Sequence, residues 1–271
     1  MKRNSLTIAM LAIAIIAMVS FHPAQADDSA SVKEAPPIPA EQIPANIKAA
    51  VDDPSRPAQD RALDAGRRPE QMLAFFGIQP GMKVGEIFAG GGYTTQLLAL
   101  AVDPGGTVYA QNPVFPERLK RIGDAFQARL KNPQLKNVVA VSKSYDSDDL
   151  FGVPAGSLDA VVTNMNYHDL VLLKADRDKI NSAIFKALKP GGAYYVIDHS
   201  AKAGSGISDI KLHRIDENVV IAEVEKAGFK LAAASSALRH PEDDRTWSTS
   251  PGAAGARRGT SDRFMLKFVK P

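Results

Sequence analysis

The stretch Glu86-Ile87-Phe88-Ala89-Gly90-Gly91-Gly92-Tyr93-Thr94-Thr95 decides how this chain is read. The run Lys83 to Phe88 predicts a buried strand, and Tyr93 to Ala101 predicts a helix that stops at Asp103-Pro104-Gly105-Gly106. Three glycines at a strand-to-helix turn remove Cβ atoms where a ligand would approach the backbone. Glu86, at the end of the strand, can hold a cationic or hydroxyl-bearing group. The plainer alternative is a tight turn that uses glycine only for backbone freedom.

The same alternation continues outward. Strands are predicted over Thr107 to Gln111, Val138 to Ser142, Leu158 to Thr163, Ala193 to Asp198, Lys230 to Ser235 and Phe264 to Val269. Helices are predicted over Asp60 to Phe76, with a restart at Pro69, then over Glu117 to Leu130, Ala175 to Leu188 and Ile215 to Ala227. Continuous apolar strands alternating with helices imply a mostly parallel sheet covered on both faces. The predicted class is therefore α/β, a doubly wound Rossmann-like sheet of seven strands. No helix separates the last two strands, so an antiparallel C-terminal hairpin is expected. In such a sheet the glycine turn opens at the carboxyl edge, where ligands bind.

Before this domain come two other segments. Lys2 and Arg3 precede an apolar run from Leu6 to Val19, and Ala24-Gln25-Ala26 follows with small residues at −3 and −1. This predicts a signal peptide over 1–26, cleavage after Ala26, and a periplasmic or secreted protein. The apolar run is too short to span a bilayer, so no membrane contact is expected after cleavage. Residues 27–57 contain Pro36, Pro37, Pro39, Pro44, Pro54 and Pro57 and read as an extended or mobile tether, with Ile38, Ile43, Ile47 and Val51 able to pin parts of it. Residues 58–271 form the predicted domain.

Of 271 residues, 45% are hydrophobic and 23% charged, which excludes collagen-like, coiled-coil and wholly disordered chains. The formal charge is +3, and the leader carries Lys2 and Arg3 of that excess. The near-neutral remainder gives no electrostatic case for nucleic acid. The count of cysteines is 0, which rules out disulfides, thiolate metal sites and a Cys nucleophile.

Two cofactors compete for the glycine turn. A dinucleotide fingerprint needs G-x-G-x-x-G/A and an acid ending the next strand. Here the third position is Thr95 and the second strand runs into Gln111-Asn112, so a dinucleotide is disfavoured. Glu86 through Gly92 resembles motif I of class I S-adenosylmethionine-dependent methyltransferases. Pro80-Gly81-Met82-Lys83-Val84, Leu158-Asp159-Ala160-Val161 and Leu188-Lys189-Pro190-Gly191-Gly192 resemble that family's approaches to its strands. Asn166-Tyr167-His168-Asp169, His213-Arg214-Ile215-Asp216 and Asp262-Arg263-Phe264 are similar to an exported group of uncharacterised predicted methyltransferases. The resemblance implies S-adenosylmethionine as cofactor, held by Glu86, Ala89, Gly90, Gly91, Gly92, Asn112, Asp146 and Asn164. The chain departs from it at Phe88, where motif I has glycine, and at Asn112, where the family has a ribose-binding acid. An amide lacks the strength of a charge-assisted bond, so weaker cofactor binding is expected.

The strands ending in Thr163 and Asp198 run out into Asn164-Met165-Asn166-Tyr167-His168-Asp169 and Asp198-His199-Ser200. Both lie at the carboxyl edge, so His168 and His199 are expected to face one crevice, with His213 able to reach it. Methyl transfer is largely alignment of nucleophile, methyl and sulfur. A hydroxyl or protonated amine must also lose a proton, and histidine is the natural base. His168 is the expected base, oriented by Asp169 or Asp198, with Tyr167 and His199 as further catalytic candidates. His168, Asp169, Asp198, His199 and His213 could also bind a divalent ion, but their spacing matches no standard motif and no metal is assigned. Residues 240–261 read as solvated slack or a mobile lid carrying Trp247, Arg257 and Arg258. The expected function is methyl transfer to an O or N of a small molecule. The alternatives are a non-catalytic ligand-binding or accessory protein on the same fold, and a metal-dependent site on the His/Asp rim.

Overall fold

The computed structural model describes residues 32–271, and the predicted leader lies outside them. The chain begins with β1 (Glu34–Ala35) and α1 (Ala45–Asp52), then α2 (Ala58–Arg61), α3 (Asp64–Arg67) and α4 (Pro69–Phe76). The alternating core follows: β2 (Lys83–Ile87), α5 (Tyr93–Val102), β3 (Thr107–Asn112), α6 (Lys120–Arg129), β4 (Val138–Ser142), β5 (Leu158–Asn164), α7 (Tyr167–Leu172), α8 (Arg177–Ala187), β6 (Leu188–His199), α9 (Glu217–Lys226), β7 (Lys230–Ser235), α10 (Pro251–Ala254) and β8 (Arg263–Val269). One eight-stranded sheet runs in the order β1-β7-β8-β6-β5-β2-β3-β4. Only β8 is antiparallel to its neighbours, lying between β6 and β7. The sheet is thus the predicted doubly wound one, with an eighth strand supplied from outside the predicted domain.

That strand corrects the tether. Glu34 and Ala35 pair with Ala234 and Ser235 on the sheet edge. Ile43, Ile47, Ala50 and Val51 enter the core against Leu97, Leu98 and Ala101 of α5. Asn46 Nδ2 donates to the carbonyls of Ile78 and Ala101, each at 3.1 Å. The spacing of Ile43, Ile47 and Val51 is one helical face, and its burial outweighs the prolines, which lie in the segment after β1, at helix starts and in a turn.

Local chemistry sets the element ends. Pro69 opens α4, and Gly77 closes it at φ +62°. Asp176 and Asp216 cap α8 and α9 by accepting the amides of Lys179 and Asn218, both at 3.0 Å.

Two apolar layers cover the sheet. Val84, Ala110, Val162 and Ile197 face α1, α4 and α5. Ile87, Val161, Tyr194 and Val196 face α7, α8 and α9. Because side chains alternate along a strand, Glu86, Asn112 and Asn164 share the α5 face. Asp198 falls on the α7 face.

The segment 240–262 is not slack. The side chains of Arg214 and Asp243 are fully buried and paired at 2.8 Å. Arg214 also donates to the carbonyls of Ser200 and Trp247, and Trp247 Nε1 donates to Asp243 at 2.8 Å. Breaking one member of such a pair would leave an uncompensated buried charge, so the loop is held in place.

Candidate active site

The glycine turn is braced from both flanks. Phe88 sits in the left-handed region at φ +56°, where a side chain other than glycine's is uncommon. Its amide donates to Gln111 Oε1 at 3.1 Å, and its carbonyl accepts from Asn166 Nδ2 at 3.0 Å. Asn112 accepts from the Gly90 amide at 2.9 Å and donates to the Gly90 carbonyl at 3.1 Å. Arg129 Nε donates to the Gly91 carbonyl at 2.7 Å, and Arg129 pairs with Asp60 at 2.6 Å.

The three glycines do different work. Gly90 and Gly92 need positive φ, at +57° and +86°. A Cβ on Gly92 would collide with Arg129 Cδ at 2.7 Å. By contrast, a Cβ on Gly90 or Gly91 would meet nothing nearer than 3.9 Å. The outer face of the turn is open, and the Phe88 ring does not fill it. That ring packs instead toward Phe115 and Tyr145, with centroids 6.0 and 5.6 Å away.

Glu86 lies beneath the turn on the α5 face, almost wholly buried, and accepts from Thr95 Oγ1 at 2.5 Å. Burial raises its pKa to about 7, against the lowering effects of the Thr95 bond and Arg129. Asn164, also buried, donates to Thr94 Oγ1 at 2.9 Å, and its Oδ1 has no partner among the described residues. Such an orphan costs about 1–3 kcal/mol, which an incoming donor would remove. A small cavity of about 140 Å³ beside Asn112 is lined by Phe115, Phe126, Val141 and Ser142. It is smaller than the roughly 300–1,000 Å³ of a whole-ligand pocket and suits one ring of a larger molecule. Asp146 is exposed and accepts the Asp176 amide at 3.3 Å, near the start of α8.

Across the same edge, α7 begins three residues after the tip of β5. His168 is buried there. Its Nδ1 lies 2.6 Å from Asp198 Oδ1, and its amide donates to Asp198 Oδ2 at 2.7 Å. Asp198 is fully buried and also accepts the His199 amide at 2.7 Å. The rings of His199 and His213 lie 5.8 and 5.1 Å from that of His168. The pKa values of His168 and His199 are pushed in opposite directions. Burial lowers the pKa of His168, but the charge and hydrogen bond of Asp198, with Asp169, outweigh it, so the pKa rises above the usual 6.5. Burial, then His168 and the guanidinium groups of Arg263 and Arg214, hold His199 well below that value. His199 Nδ1 contacts Ser261 Oγ at 2.8 Å.

Tyr167 is not on this rim. Its hydroxyl donates to Glu223 at 2.8 Å and accepts from Asn181 at 3.0 Å, deep among α7, α8 and α9. At the start of α7 the Tyr167 side chain turns toward Glu223 and Asn181, whereas His168 turns toward Asp198 and the crevice. Asn166 and Arg129, in turn, were absent from the predicted site. Asn166 joins the rim to the glycine turn, and only its place two residues beyond a strand end hints at this. A cleft of about 410 Å³ between α8 and α9, walled by Arg177 and Glu223, contains none of these residues.

No protein-family model matches the chain. Solved structures do. A methyltransferase dependent on S-adenosylmethionine from Aquifex aeolicus superposes with a TM-score of 0.55 at 19% identity, covering 80% of this chain and 99% of that one. This is a methyltransferase fold. Geranyl diphosphate C-methyltransferase from Streptomyces coelicolor, solved with Mg2+, geranyl diphosphate and S-adenosyl-L-homocysteine, also reaches 0.55 at 13% identity, covering 83% and 87%. The cyclase SpnF reaches 0.53 at 17% identity, covering 81% and 86%. One architecture thus carries methyl transfer and cyclisation, and function has to be argued from the site.

Proposed function

We propose that this chain is an exported methyltransferase that uses S-adenosylmethionine and acts on an O or N of a small molecule. The observation that carries the reading is one edge holding both an open glycine turn and a histidine locked onto a buried carboxylate. Gly90 and Gly91 leave room for a ligand against the main chain, α5 starts there without a side-chain cap, and the orphan acceptor of Asn164 invites a donor. These features fit the cofactor, and its carboxylate suits the uncapped helix start. When bound, it supplies a methyl group on a sulfonium, already activated for transfer.

The chain's own residues then handle the acceptor. Asp198 keeps a proton on Nδ1 of His168, so that the lone pair lies on Nε2, beside His213 Nδ1. The O–H or N–H proton of the acceptor passes to that lone pair. His199, neutral and weakly basic, lines the crevice without competing for it. Export rests on the Lys2-to-Ala26 pattern.

A second reading has support of its own. Phe88 stands where the resembling motif has glycine, and Thr95 already occupies one oxygen of Glu86. A binding or accessory protein would tolerate both. Calorimetry with S-adenosylmethionine and S-adenosylhomocysteine separates the readings. A Kd at or below about 100 µM, followed by labelled methyl transfer to a panel of small hydroxyl and amine acceptors, is the expected outcome. Absence of binding at about 1 mM removes the enzyme reading.

A further inference from the structure

The proposed base uses one nitrogen, yet two further ligand atoms converge on it. His168 Nε2 stands 3.2 Å from His213 Nδ1 and 3.4 Å from Asp169 Oδ1, and His213 Nδ1 stands 3.5 Å from the same oxygen. Two of these edges are longer than the roughly 2.7–3.2 Å of an N–H···O hydrogen bond. A tetrahedral ion with bonds of about 2.0–2.1 Å spaces its ligand atoms about 3.3–3.4 Å apart. The triangle therefore has the dimensions of one face of a zinc tetrahedron.

The surroundings complete the arrangement. Asp198 holds His168 through Nδ1, which fixes Nε2 as the atom with the lone pair and is the usual outer-shell partner of a metal-bound histidine. His213 is fixed by Thr249, whose hydroxyl donates to the His213 carbonyl at 2.8 Å and whose amide donates to the Leu212 carbonyl at 3.0 Å. The left-handed conformation of His213, at φ +55°, belongs to the same clamp. The three groups come from α7 and from the turn before α9, and among the described residues they form the one cluster with this convergence of His and acid atoms.

We propose that His168, Asp169 and His213 form a binding site for a single divalent transition-metal ion, zinc foremost. Two imidazoles and one carboxylate suit zinc and its neighbours better than magnesium or calcium, which prefer all-oxygen shells. Three protein ligands leave a fourth position for water or an acceptor oxygen, as in catalytic rather than structural sites. The site does not depend on methyl transfer. It does bear on it, because an ion on Nε2 occupies the lone pair that would take the acceptor's proton. Loaded and ion-free protein would then differ in that one step.

The test is zinc alone, titrated into chelator-washed full chain by calorimetry and by equilibrium dialysis with elemental analysis. One equivalent is expected. His213→Gly, which suits the positive φ, and Asp169→Asn should each weaken binding at least about 100-fold. Asp198→Asn should weaken it about 10–100-fold. His240→Gln, in a separate exposed His–Glu pair, should change nothing. Cobalt in place of zinc should give the strong visible absorption of a tetrahedral site. Less than a tenth of an equivalent at about 100 µM zinc, or loading that survives both His213→Gly and Asp169→Asn, overturns the proposal. S-adenosylmethionine binding measured on the same variants keeps this result separate from that of the methyltransferase reading.

Discussion

The glycine turn and the histidine rim share one edge of one sheet, yet they are built in opposite ways. At the turn, amide side chains are spent on the main chain: Gln111, Asn112 and Asn166 hold Phe88 and Gly90, and the outer surface presents backbone. On the rim, the main chain is spent on a side chain: the amides of His168 and His199 converge on Asp198, and the surface presents imidazole nitrogens and a carboxylate. The alternation of strand residues assigns Glu86, Asn112 and Asn164 to one face and Asp198 to the other. The first region is therefore a matter of shape and the second a matter of charge. A ligand lying across the edge would meet both.

The largest expected effect tests the charged side. His168→Ala should lower the rate at saturating acceptor by about 100-fold or more while leaving cofactor affinity unchanged. In the parent protein the rate should rise with pH through a pKa above 6.5. A variant that keeps full rate would end the division of labour between the two regions.

The next effect concerns stability at the turn. Glu86 has a folded-state pKa of about 7 against an ordinary 4.5. Between those values the folded protein holds a proton that the unfolded chain has released, so the stabilisation is complete below about pH 4.5 and is lost as pH rises through 7. Glu86→Gln should thus stabilise the protein above pH 7 by about 3 kcal/mol at most, and far less near pH 4. Urea unfolding at the two pH values measures this. Equal effects at both would show that Glu86 stays ionised in the fold.

The smallest effect concerns Phe88. Phe88→Gly relieves a left-handed backbone worth about 1 kcal/mol and loses ring packing of similar size. Net stability should move by less than about 1 kcal/mol, and cofactor affinity should be unchanged, because the ring rests on Phe115 and Tyr145. A tenfold gain in affinity would mean that the ring narrows the turn.

How much of this was legible beforehand depended on the range of the signal. Strands such as Leu158 to Thr163 declare themselves by unbroken apolar runs, and the end of a strand locates His168 and Asp198 on an edge without any knowledge of contacts. β1 has only two residues among prolines, so no pattern announces it. Ile43, Ile47 and Val51 did carry a helical spacing, but the proline count obscured it. Asn112, Asn166 and Arg129 serve backbone atoms far away in sequence, and an amide gives no clue to which carbonyl it will meet. Tyr167 was misplaced because the sequence does not show which way the first residue of α7 turns, and its hydroxyl reaches Glu223 and Asn181 instead. His213 owes its position to Thr249, from a loop whose composition looked like slack.

The pairing of Glu34 with Ala234 also orders events in time. β1 cannot pair before β7 has been made, 200 residues further along the chain. Without β1, the outer edge of β7 would offer unsatisfied amides to any passing strand. The two-residue ribbon thus acts as a latch that closes on β7 and covers its edge.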